Sequence, residues 1–102
     1  MKRKLFITAI TLLIGSLNIA PAYASTIVTE NNINYAYNDN QEKIHGWEKI
    51  GNDWYCFSQD DGHMMYGWQL VNDTWYYLDT DGKMLANTIT PDGYSVAESG
   101  AW

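Results

Sequence analysis

Cysteine is almost missing from this sequence: Cys56 is the single one among 102 residues. One thiol cannot close an intramolecular bridge, so a disulfide framework is excluded. As an odd thiol, Cys56 has two readings: a packed small hydrophobe, or a link between two chains in a homodimer. Basic residues are also scarce. Of the six, Lys2, Arg3 and Lys4 crowd the start, leaving Lys43, Lys49 and Lys83 for the rest. Helical periodicity is absent over any eleven-residue window beyond the first segment, which excludes a helical domain. After the run Leu5 to Ile14, no second apolar stretch of membrane-spanning length follows.

The basic start, the apolar run and the small residues Ala22-Tyr23-Ala24 after Pro21 make a secretory signal, with cleavage expected before Ser25. Residues 1–24 are therefore assigned to a signal peptide and the remainder to a secreted product without membrane insertion. That remainder sets three lysines against all twelve acids, a net charge of −9. So acidic a surface disfavours nucleic acid, because phosphate contacts need Lys and Arg, and it favours cationic partners. Seventy-eight residues are near the lower limit for a self-sufficient core. Aromatic stacking, a ligand or self-association must supply what disulfides do not.

What the sequence does contain is a repeat. Gly46-Trp47 recurs as Gly67-Trp68, and Trp54-Tyr55 as Trp75-Tyr76. Asp61-Gly62 recurs as Asp81-Gly82 at a spacing one residue shorter, because the loop after Phe57 carries one extra residue; Met64 then matches Met84. Residues 46–66 and 67–86 are two complete units. Residues 35–45 (Tyr35-Ala36-Tyr37 through Gln41) are the second half of an earlier unit, since Gln41 to Gly46 repeats the spacing of Gly62 to Gly67. Residues 87–102 are a varied terminal cap, with Asn87-Thr88 where Gly-Trp is expected. Residues 25–34 show no repeat and are expected to be an extended or disordered lead-in.

Each unit has two β-rich arms around Gly51-Asn52 or Asn72-Asp73, residues that tolerate the positive φ of primed hairpin turns. Isolated hairpins are barely stable in water, so successive hairpins must stack. The expected fold is all-β: a short solenoid of stacked hairpins over 35–102. Side chains alternate along a strand, placing Trp54 with Cys56 on one face and Tyr55 with Phe57 on the other. Trp47 is expected across its hairpin from Trp54, and Trp68 across from Trp75.

Three rings around a small space suit a quaternary ammonium: the ring faces attract the cation while its methyl groups lose water contact. At about 0.5–2 kcal/mol per ring, three rings give roughly 2–6 kcal/mol, a millimolar site that depends on multiplicity. The alternative is that these rings serve only as core. Asp79-Thr80-Asp81-Gly82 has the start of a calcium loop without the acids that complete it, and reads as a turn. His45 and His63 lack ligand spacing. No nucleophile elbow or phosphate loop occurs, so no catalytic residue, cofactor or metal is expected.

Gly46-Trp47…Trp54-Tyr55…Gly62-His63-Met64 and Gly67-Trp68…Trp75-Tyr76…Gly82-Lys83-Met84 resemble choline-binding, or cell-wall-binding, repeats. The stretch from Met84 through Pro91-Asp92-Gly93-Tyr94 to Gly100-Ala101-Trp102 resembles the end of such arrays. The resemblance covers residues 35–102. It implies a left-handed hairpin solenoid of Gram-positive bacteria and phages that binds choline on teichoic and lipoteichoic acids, in cavities between repeats. It implies ligand contacts from Trp47, Trp54, Trp68 and Trp75, with Tyr76 closing one box from the following unit and Met84 lining it. The chain departs from the pattern at Cys56 (Tyr77 in the sister unit), Gln41 (usually Gly) and Thr88. Two complete cavities at most are expected, the second needing Tyr94 as its third ring. Related repeats recognise carbohydrate, so a glucan stacked on the same indoles remains the alternative, beside a structural or self-assembly role.

Overall fold

The computed structural model describes residues 24–102, and the signal segment expected from the sequence lies outside them except for Ala24. All regular structure in the described residues is strand. Eight strands pair in sequence as four antiparallel hairpins: β1 (Thr26–Glu30) with β2 (Ile33–Tyr37), β3 (Gly46–Ile50) with β4 (Asp53–Phe57), β5 (Gly67–Val71) with β6 (Thr74–Leu78), and β7 (Thr88–Ile89) with β8 (Ser95–Val96). The turns follow from their residues. Asn31-Asn32 and Asn72-Asp73 both hold positive φ at the two central positions, and Gly51 does so alone in its turn. Those backbones match the right-handed twist of the arms they join.

Of the two expectations for the lead-in, extended or disordered, the described residues are extended. Residues 25–34 contain strand β1, its turn and the beginning of β2, registered Ile27↔Ala36 and Val28↔Tyr35. Pairing needs only backbone donors and acceptors, so Thr26, Ile27, Val28 and Thr29 form a hairpin arm without the aromatic signature.

One side-chain device recurs in the turns that follow the first three hairpins and in the loop of the fourth. Asn38 Oδ1, Ser58 Oγ, Asp79 Oδ1 and Thr90 Oγ1 each accept the backbone N–H four residues on, from Glu42, Gly62, Lys83 and Tyr94 at 2.9–3.0 Å. Short polar side chains that bond their own backbone define such turns. Asp79-Thr80-Asp81-Gly82 is therefore a turn of this type, as its sequence suggests. The inserted residue after Phe57 is absorbed here: the Ser58 N–H reaches the carbonyl of His63, whereas the Asp79 N–H reaches that of Lys83.

Stacking is fixed by bonds between hairpins. The N–H of Met64 donates to the carbonyl of Asn34, that of Met84 to Trp54, and that of Trp102 to Trp75, at 2.8, 2.8 and 3.0 Å. Inside the stack Tyr37, Phe57, Leu78 and Val96 are buried, with Ala36, Tyr55, Phe57 and Met64 as a continuous cluster flanked by Ile27, Ile44 and Ile50. Gly82 and Gly100 are required by this packing. Both hold positive φ (86° and 89°), and a Cβ on Gly82 would collide with the sulfur of Met64, one on Gly100 with that of Met84. Each methionine is thus seated against the glycine of the next turn.

Candidate functional site

The four hairpins create three comparable junctions. Strand register and the closing turns align their residues: Ile27, Asn34, Tyr55 and Met64 at the first; Trp47, Trp54, Tyr76 and Met84 at the second; Trp68, Trp75, Tyr94 and Trp102 at the third. In the first junction an isoleucine and an amide replace the indole pair. Its Tyr55 and Met64 are buried in the core cluster, and Asn34 Nδ2 donates to the Tyr66 hydroxyl at 3.1 Å. No aromatic box forms there.

The second junction brings Trp47, Trp54, Tyr76 and Met84 together around an open cavity of about 270 Å³, with Ser99 at its rim. The Trp47 ring meets Trp54 at 6.5 Å and 81°, and Tyr76 at 5.1 Å and 72°. These steep edge-to-face contacts hold the rings upright around a space and stop them collapsing into a stack. The two indoles are not directly opposite, which corrects the expected pairing. Trp47 faces Cys56 in the register and Trp54 faces Lys49, so the indoles meet diagonally on one face. Diagonal neighbours stand farther apart than facing ones, and the extra separation leaves the gap.

The third junction is larger, about 370 Å³, lined by Trp68, Trp75, Asp92, Tyr94 and Trp102. Trp68 stands edge-on to Trp75 (6.4 Å, 86°), Tyr94 (5.8 Å, 83°) and Trp102 (6.3 Å, 69°). Tyr94 thus supplies the third ring that the sequence left conditional. Two lining residues were missed by sequence reasoning, Trp102 and Asp92. The signal for Trp102 was the two-residue step from Gly100, the same step that separates Gly62 from Met64 and Gly82 from Met84. Trp54, Trp75 and Trp102 expose 42, 40 and 60% of their surface, far more than core rings such as Phe57 at 1%. Their faces are available to a ligand.

Electrostatics at the site are one-signed. Asp92 Oδ2 accepts the Trp68 indole N–H at 2.9 Å and Oδ1 accepts the Thr90 hydroxyl at 2.6 Å. Those donors, Thr90 first, hold the Asp92 carboxyl below its ordinary range. Away from the cavities, hydrogen bonds from Ser58 and His63 lower the Asp61 carboxyl further. Cys56 is buried beside Trp47 in the register, and desolvation pushes its thiol pKa up. That placement fits the packed-hydrophobe reading and hides the thiol from a second chain. His45 and His63 are both exposed; His63 pairs with Asp61 at 2.6 Å, and His45 Nδ1 lies 3.0 Å from the Ser58 carbonyl.

Comparison with known proteins bears on these cavities. The family model for the choline-binding repeat matches residues 44–88. The fold is similar to the choline binding domain of Spr1274 from Streptococcus pneumoniae, at 33% identity and a TM-score of 0.67, covering 82% of this chain and 98% of that one. It is similar to choline binding protein F of the same organism, solved in the presence of a peptidoglycan analogue, at 35% identity and a TM-score of 0.71, covering 76% of this chain and 26% of that one. A cell wall endolysin from phage Cp-1, complexed with choline, matches at 29% identity and a TM-score of 0.68, covering 81% of this chain and 25% of that one. The chain thus spans about a quarter of the length of these last two. No curated protein matches the sequence.

Proposed function

The chain belongs to the choline-binding repeat family, and we propose that it is a non-catalytic, secreted attachment module held on the bacterial cell wall by choline. The observation that carries this reading is the recurrence, in register, of an aromatic cavity: Trp47, Trp54, Tyr76 and Met84, then Trp68, Trp75, Tyr94 and Trp102. Each offers ring faces to a trimethylammonium group, whose positive charge is attracted by the ring quadrupole and whose methyls bury apolar surface. Choline carried on teichoic or lipoteichoic acid presents many such groups on one polymer. Two modest sites then act together, because binding at one raises the effective concentration at the other. The net acidic surface favours approach of the cationic headgroup.

Retention on choline-agarose with release by free choline tests this. The Trp54→Ala/Trp75→Ala variant, which opens one wall of each cavity, must lose retention while keeping its fold by circular dichroism. If the unaltered chain instead holds to dextran with no effect of choline, the indoles stack on sugar rings and the choline reading fails.

A further inference from the structure

The two aromatic cavities differ in one respect that ring geometry does not explain. Among the residues lining the second junction there is no carboxylate; among those lining the third there is Asp92. We propose that Asp92 makes the third junction the more charge-selective of the two: its carboxylate adds a full negative charge to the ring quadrupoles that both cavities present to a quaternary ammonium. This rests on the ligand reading given above.

The carboxylate is built into place. Thr90, 3% exposed, donates its hydroxyl to Asp92 Oδ1 and accepts the Tyr94 N–H at 3.0 Å, so one buried side chain positions both the anion and the third ring. The Trp68 indole N–H holds the other oxygen. With both oxygens already accepting, Asp92 is fixed in orientation, and what it adds to the cavity is mainly negative charge. Trp68 is also the ring that meets Trp75, Tyr94 and Trp102, so the same bond ties the carboxylate to the centre of the box. Ionisation is secured by the same donors, which keep the carboxyl charged through the physiological range. A cation in the cavity gains from a nearby anion by Coulomb's law; a neutral molecule of the same shape does not.

The test uses choline and its neutral carbon isostere, 3,3-dimethylbutan-1-ol, titrated into the full chain and Asp92→Asn. Binding is read separately at the indole N–H resonances of Trp47 and Trp68. The expected result is that Asp92→Asn weakens choline at Trp68 by about three- to ten-fold, leaves the isostere unchanged there, and changes neither ligand at Trp47. Equal losses of choline and isostere at Trp68 would make Asp92 a packing residue and overturn the proposal, as would no loss of choline. Should Asp92→Asn not fold, the unaltered chain still decides. Choline affinity at Trp68 must fall more than at Trp47 between 20 and 500 mM salt, because screening acts on the carboxylate contribution, and equal salt dependence overturns the proposal. Absence of choline binding at both indoles would refute the ligand reading itself.

Discussion

The backbone N–H of Trp102 donates to the carbonyl of Trp75, and this bond is the counterpart of the one from Met84 to Trp54. A tryptophan therefore occupies, at the third junction, the station that a methionine occupies at the second. The register and the closing turns make the two cavities versions of one design, differing in that wall and in Asp92.

Replacing Trp102 by Met makes the third cavity resemble the second on that side. Loss of one ring corresponds to about 0.5–2 kcal/mol, or a roughly 2- to 30-fold weaker choline site at Trp68. Because Trp102 is 60% exposed, stability should change little. Calorimetric titration of Trp102→Met, with Trp47 as an internal reference by NMR, checks both parts; an unchanged affinity would remove Trp102 from the site.

Gly82→Ala and Gly67→Ala separate backbone strain from collision. Both positions hold positive φ, but a Cβ at Gly67 meets nothing within 4 Å, whereas one at Gly82 meets Met64 and lies 3.3 Å from Tyr55. Strain alone costs about 1–2 kcal/mol at Gly67, and strain plus overpacking about 2–4 kcal/mol at Gly82. Urea unfolding of the two variants should show that order.

Cys56 should be inert in the folded protein. Its sulfur is buried and its pKa raised by desolvation, so little thiolate is available to react. Iodoacetamide should label it slowly until denaturant is added, as followed by mass spectrometry, and non-reducing electrophoresis should show monomer.

Asp61 should make a small contribution to acid sensitivity, because its bonds lie at the exposed surface. Its carboxyl, bonded by Ser58 and His63, has a folded pKa below the ordinary value of 3.8. A depressed folded pKa means the folded state binds fewer protons, so the contribution is present above the unfolded value and is lost as pH falls below it. Carboxyl NMR titration should place the Asp61 midpoint below the ordinary aspartate value. Asp61→Asn should flatten the decline of melting temperature below about pH 4.

Much of this arrangement is legible in the sequence. Trp-Tyr pairs at a constant spacing reported the hairpins, because rings that must meet their neighbours cannot drift in register. Asn-Asp and Gly-Asn reported the turns for backbone reasons. The first hairpin was legible only in its second arm, at Tyr35-Ala36-Tyr37; Ile27 and Asn34 replace the indoles, and the backbone bonds that pair the first arm leave no mark on residue choice. The final junction was only half legible. The last hairpin has strands of two residues, which shortens the spacing and disguises Trp102 as part of a tail. Asp92 reads as a turn residue, and only its placement against Trp68 gives it a second meaning.

Tyr76 and Trp75 are adjacent on β6, and they look into different cavities: Tyr76 into the second junction, Trp75 into the third. Alternation along a strand sends successive side chains to opposite faces, so this five-residue strand furnishes a wall to each of two compartments. A break in that one strand would therefore breach both compartments at once.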